Sequence, residues 1–249
     1  LTRAIRAERA LVGLLLGLVG LAWWCARERM KGMDEGPWTD LGTFGWFVSV
    51  WSVMMAAMML PSALPAVSLY ARLARDRTAL APLFFTSGYL AVWAAAGLVA
   101  FGVAGAGSHL VGGALDWSRG GRWLAGAALL AAAAYQLTPL KEACLARCRS
   151  PLGLLLGSWR PGRLGGFRLG LANGAWCAGC CWALMAALFA LGVMSIAWTA
   201  LVAGLVLLEK TLPWRRAATG GTAALLLALG LLVLAAPDAV PMLTLPGSS

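Results

Sequence analysis

The sequence predicts an all-α fold, a polytopic transmembrane helix bundle of about seven spans with the N-terminus in the cytoplasm and the C-terminus outside. Three observations predict it. The chain is 61% hydrophobic and only 12% charged, about half the charge of an average soluble domain. Apolar stretches of about 17–25 residues, the length a helix needs to cross a bilayer, recur from end to end. Lys and Arg alternate in density between the loops that join them, as orientation in a membrane requires.

The expected spans cover residues 10–26, 44–69, 81–104, 123–140, 167–192, 194–208 and 219–236. The first ends in Trp23-Trp24-Cys25 rather than in a small-residue cleavage site, so it reads as a retained helix and not as a signal peptide. With the N-terminus inside, Arg3, Arg6, Arg9, Arg72, Arg75, Arg77, Lys141, Arg147, Arg149, Arg160, Arg163, Arg168, Lys210, Arg215 and Arg216 all fall on the cytoplasmic side. Arg27, Arg29, Lys31, Arg119 and Arg122 fall outside. Lys and Arg resist translocation, so this bias sets the orientation. Only Gly192 to Ser195 separate spans five and six. A tight helical hairpin is expected there, because one bent helix would invert the C-terminal half and break the charge rule at Glu209 to Arg216. Residues 1–249 read as a single integral membrane domain without internal repeats.

The net charge of +10 is spread over alternate loops rather than gathered in one stripe, which argues against nucleic acid as a partner. The lipid bilayer is the expected one. A composition rich in Ala, Gly, Leu and Arg with few Lys suits a high-GC bacterium, and hence a bacterial inner membrane.

The residues that carry chemistry are sulfur-bearing. In the second span Met54 and Met58 are four apart, as are Met55 and Met59, so each pair stacks on one helical face. Pro61 and Pro65 follow and remove backbone donors; membranes tolerate such breaks where the freed carbonyls find another partner. Met also fills irregular gaps between helices, so packing is the competing reading. In the fifth span Asn173, Cys177, Cys181 and Met185 recur every four residues, and Cys180 lies one position round from Cys181. Gly179 between them lets a neighbour approach closely. A single buried Cys would read as a small hydrophobe; a CxxCC cluster flanked by Trp176 and Trp182 points to soft ligands instead. At the inner end of the fourth span Cys144 and Cys148 are again four apart, among Lys141, Arg147 and Arg149, basic neighbours of the kind that activate thiols. Tyr135 and Gln136 place polar groups at membrane depth, where they face protein or water.

Several classes are disfavoured. His109, the sole histidine, reads as a solvated residue of an outer loop, which leaves zinc and haem short of ligands. No Walker motif provides for a nucleotide, and no Ser/His/Asp set suggests an enzyme. Glu209 and Lys210 end the sixth span as an interfacial anchor, or as an ion pair with Lys141 and Glu142.

Three segments taken together, Met54–Pro61, Tyr135–Pro151 and Gly170–Met185, resemble the family of bacterial predicted metal-binding integral membrane proteins with a domain of unknown function. The shared features are a Met-Met…Ala-Met-Met-x-Pro helix, a Tyr-Gln-x-x-Pro-Leu-Lys-x-x-Cys-Leu…Cys-Arg-x-Pro segment and a Gly…Cys-x-Gly-Cys-Cys-Trp-x-Leu-Met helix. The resemblance runs from about Trp46 to Lys210 and leaves out the first span and the C-terminal tail. It implies membrane topology and metal binding.

Thiolates and thioethers select Cu(I) over harder cations. The expected ligands are Met54, Met55, Met58, Met59, Cys144, Cys148, Cys177, Cys180, Cys181 and Met185. By depth, Met30 and Met33 are outermost, Met194 sits at the outer helix ends, the central sulfurs follow, and Cys144 and Cys148 are innermost. Thioethers bind weakly and thiolates tightly, so such a path favours inward movement. Copper transport, or delivery to a membrane metalloenzyme with a soluble copper chaperone as a further partner, is the leading expectation. Membrane thiol–disulfide chemistry is the second. A structural or assembly role in a membrane complex is the third.

Overall fold

The computed structural model describes residues 2–30, 43–74, 80–111, 120–158, 162–192 and 195–236. Every regular element among them is a helix: α1 (Thr2–Met30), α2 (Phe44–Leu73), α3 (Leu80–Val111), α4 (Arg122–Gln136), α5 (Pro139–Cys148), α6 (Pro151–Ser158), α7 (Arg163–Leu191), α8 (Ile196–Thr211) and α9 (Arg215–Ala235). The helical class is as the composition requires.

Four of these helices are long and apolar enough to cross a membrane: Phe44–Leu73, Ala81–Ala106, Leu164–Leu191 and Arg215–Ala235. Each of the other three expected spans falls on a helix that does not meet that measure alone. Residues 10–26 lie within α1, and 194–208 fall mainly on the 16-residue α8. The fourth expected span, 123–140, is interrupted, although its two helices together meet the measure as a bent pair. Its helix stops at Gln136, and α5 departs at 68°. Pro139 is the cause, since its ring removes the N–H that would have bonded the Tyr135 carbonyl. That carbonyl accepts instead from the Thr138 backbone N–H (3.0 Å) and hydroxyl (2.7 Å). The Thr138 hydroxyl oxygen also accepts from the Lys141 backbone N–H at 3.3 Å, capping the new helix.

Spans five and six are separate helices, as expected. α7 ends at Leu191, and Gly192 takes φ 112°, a conformation that side chains with a Cβ resist. His109 lies in the last turn of α3 rather than in a loop. Met33 and Met194 lie outside the described residues.

The chain divides into two compact units: Leu1–Arg29, Val48–Leu98 and Cys144–Gly179 form the first, and Met30–Phe47, Val99–Ala143 and Cys180–Ser249 the second. In the first, α7 presses on α3 at glycines. A methyl group at Gly170 would strike the Phe85 carbonyl, and one at Gly88 the Phe167 carbonyl. A Cβ at Gly174 would stand 3.0 Å from the Tyr89 carbonyl and from Val92. α2 meets α3 through Trp51, whose indole N–H donates to the Trp93 carbonyl at 2.8 Å. In the second unit α4 and α9 pack along one another, with Gly126 against Leu234 and Gly230 against Leu129 and Leu130.

Burial separates the long helices. In α2 and α7, 56% and 61% of the most apolar window is buried, against 17% in α3 and 33% in α9. The two helices that carry the Met-Met and CxxCC motifs are therefore the more buried of the four.

Candidate metal centre

All four methionines of α2 are buried: Met54, Met55, Met58 and Met59 expose 2% or less. Both thioether pairs are thus withdrawn from the protein surface, and the two prolines that follow are held inside a continuous helix.

In the first unit Cys177 is fully buried and meets a partner that the motifs did not reveal. The Tyr89 hydroxyl lies 2.9 Å from its Sγ. The same hydroxyl donates to the Met59 carbonyl at 3.4 Å. Tyr89 thereby joins the thiol motif of α7 to the Met helix α2. It could be brought there only because Gly170 and Gly174 let α3 and α7 approach backbone to backbone. A lone Tyr in an apolar span gives no spacing signal, so sequence reasoning passed over it.

Cys144 is brought to the same helix. Its Sγ lies 3.1 Å from where a Cβ on residue 179 would stand. Gly179 within the CxxCC motif is therefore the floor on which the Cys144 thiol rests, and the sulfur of α5 meets α7 inside its thiol motif. Cys148, one turn on, is half-buried. Of the basic neighbours, the Arg147 guanidinium lies over the Trp176 ring at 4.5 Å, a cation–π contact.

In the second unit Cys180 and Cys181 are buried with their Sγ atoms 3.3 Å apart. Met185, also buried, is one helical turn beyond Cys181. Trp182, the second flanking tryptophan, meets Tyr135 edge-on with ring centroids 4.9 Å apart. Gln136 beside it is only 3% exposed, and neither end of its amide is hydrogen-bonded among the described residues.

An ion pair meets the backbone of the residue that bears one of these thiols. The Lys141 ammonium lies 2.6 Å from Glu209 Oε2, with each side chain 1% exposed. It also donates to the Cys180 carbonyl at 2.6 Å. Of the two readings of Glu209 from sequence, anchor or ion pair with the Lys141 segment, the second is realised. Removing charges from water costs several kcal/mol per ion, and stripping one partner from such a pair costs about 3–5 kcal/mol.

All six cysteines are free thiols. Among the described residues no three His, Cys, Asp or Glu side chains converge into one metal-holding group. The soft donors at hand are the thiols, with Cys180 and Cys181 adjacent, and the buried thioethers of Met54, Met55, Met58, Met59 and Met185.

Apolar helices of membrane length, two of which bury Met and Cys side chains, define a class of helical proteins with buried soft sulfur. The copper chaperone family PpoB2 matches residues 48–233, about three-quarters of the sequence, and the chain belongs to that family. The match runs from α2 through α9, so the C-terminal helix that the motif resemblance left out is part of the shared region. No curated protein and no solved structure matches the chain.

Proposed function

We propose that the protein is a Cu(I) carrier of the bacterial inner membrane, which holds the ion on buried sulfur and hands it to an acceptor metalloenzyme. Copper is its cargo. The observation that carries the reading is the burial of thiols and thioethers on the two more buried membrane-length helices of a copper chaperone family member. Soft donors shielded from water favour Cu(I), the soft oxidation state, over Zn(II) or Cu(II). The four membrane-length helices support insertion, and the loop charges support seven spans with the N-terminus inside.

Paired thiols such as Cys180 and Cys181 suit delivery rather than storage. A site with two or three sulfurs leaves the ion open to an incoming ligand, so it can leave by stepwise exchange. The Met54–Met59 thioethers supply weak sites, and Cys177, Cys180 and Cys181 stronger ones. Thiol–disulfide exchange finds no support at Cys180–Cys181: adjacent Cα atoms are about 3.8 Å apart, below the usual disulfide range of about 4.4–6.8 Å.

The test is anaerobic Cu(I) titration of the detergent-purified chain against a competing chelator. Near-stoichiometric copper is expected in the wild type, with tight binding lost in the C177S/C180S/C181S variant. Unchanged affinity in that variant sinks the assignment. Delivery is then read by transfer from the loaded protein to an apo-metalloenzyme. It must outpace transfer from the chelator alone.

A further inference from the structure

The Lys141–Glu209 pair does more than close a helix junction. Lys141 is in the first turn of α5, where the positive end of the helix dipole disfavours a cation. It is also almost wholly buried, which disfavours it again. Local preference therefore argues against an ammonium at this position. Its two acceptors are a carboxylate on α8 and the carbonyl of Cys180. The second fixes the charge on the same residue that bears one of the paired thiols.

That placement bears on copper binding as a charge balance. When Cu(I) binds two thiols, each Cys S–H bond is replaced by a Cu–S bond and both protons pass to solvent. The product is a dithiolate–Cu(I) complex with one net negative charge, and no electron is transferred. In a low-dielectric interior an uncompensated anion is strongly disfavoured. With Lys141 positive and Glu209 negative beside it, the loaded pair leaves these groups with one net negative charge, and without the ammonium it would leave them with two.

We propose that Lys141 is the counter-charge of the copper-loaded Cys180–Cys181 pair, and that Glu209 holds that charge in place while the thiols are empty. Lys141 is a positioning residue, since it touches the ligand residue's backbone and not the metal. The inference rests on the Cu(I) reading above and adds a sign to it. If the pair were only a structural clasp, breaking it from either side would weaken the site. If Lys141 is a counter-charge, the two sides act oppositely. Loss of the ammonium disfavours the anionic complex, and loss of the carboxylate frees the ammonium to serve it.

The experiment is Cu(I) affinity by chelator competition on the full chain in detergent, for wild type, K141M, E209Q, K141R and the double variant K141M/E209L. Expected are an affinity about tenfold or more weaker in K141M, equal to about 1.4 kcal/mol, and an affinity equal or tighter in E209Q. K141R, which keeps the charge, retains wild-type binding. K141M/E209L guards against misfolding, because apolar replacement of a whole buried pair is often neutral or stabilising. It should melt like wild type and still bind weakly. Wild-type affinity in K141M/E209L, or parallel weakening in K141M and E209Q, overturns the counter-charge. A wild-type chain that takes up no Cu(I) overturns the copper reading itself and this inference with it, a result distinct from the other two.

Discussion

At Gly179 one hydrogen atom decides where a thiol sits. A side chain there would place its Cβ 3.1 Å from the Cys144 sulfur, closer than such atoms ordinarily pack. G179A should therefore destabilise the protein by about 1–3 kcal/mol, the usual range for overpacking. The companion variant C144A should recover most of that loss when combined with it. A double-mutant cycle on thermal unfolding in detergent reads the coupling, expected above about 0.5 kcal/mol for residues in contact. Additive losses would mean that Cys144 does not rest on Gly179. The sulfur positions themselves were legible in the sequence, because four-residue spacing of Met and Cys is a helical-face pattern wherever the chain is helical. Their partners were not. Tyr89 reaches Cys177 across 88 residues of sequence, and no local spacing encodes that meeting. Lys141 and Glu209 were legible as charged residues near two span ends, where an ion pair is the natural resolution of burial.

Among the elements, the contact between α3 and α7 in the first unit is made by backbone. Gly170 faces the Phe85 carbonyl and Gly174 the Tyr89 carbonyl, so α7 presents a smooth strip to its neighbour as small-residue helices do in membranes. G170A should drive the two helices apart, lower the thermal midpoint and weaken Cu(I) binding together, because Tyr89 and Cys177 straddle that contact. G220A, a change where an added methyl meets nothing within 4 Å, should leave both unchanged. Paired melting curves and copper titrations check the contrast, and a G170A protein with wild-type values in both would show that the approach is dispensable. The fourth expected span illustrates what apolar length alone misses. Residues 123–140 are apolar enough to be read as one span, yet Pro139 withdraws a hydrogen bond and Thr138 caps a new helix. The break was encoded in two residues and outweighed by the hydrophobic run around them.

For the molecule as a whole, the question is which helices cross. α9 has 21 residues, a rise of about 31 Å, which matches a bilayer core of about 30 Å. α8, with 16 residues, rises only about 24 Å and requires a thinned bilayer or polar neighbours at its ends. The proposed orientation expects cysteines introduced at Arg216 and Ala236 to react with a membrane-impermeant reagent from opposite sides, Arg216→Cys from the cytoplasm. Same-side labelling would discard the seven-span topology. The depth of the sulfur has a kinetic consequence. Met55, Met59 and Cys177 have no measurable exposure, and Cys180 and Cys181 expose 1% each. An arriving donor complex therefore cannot touch any of these five sulfurs until the helices separate, an opening that has its own equilibrium and rate. Copper uptake followed by stopped-flow should rise with donor concentration and then level off at the frequency of that opening. The ceiling should be the same whichever donor brings the ion.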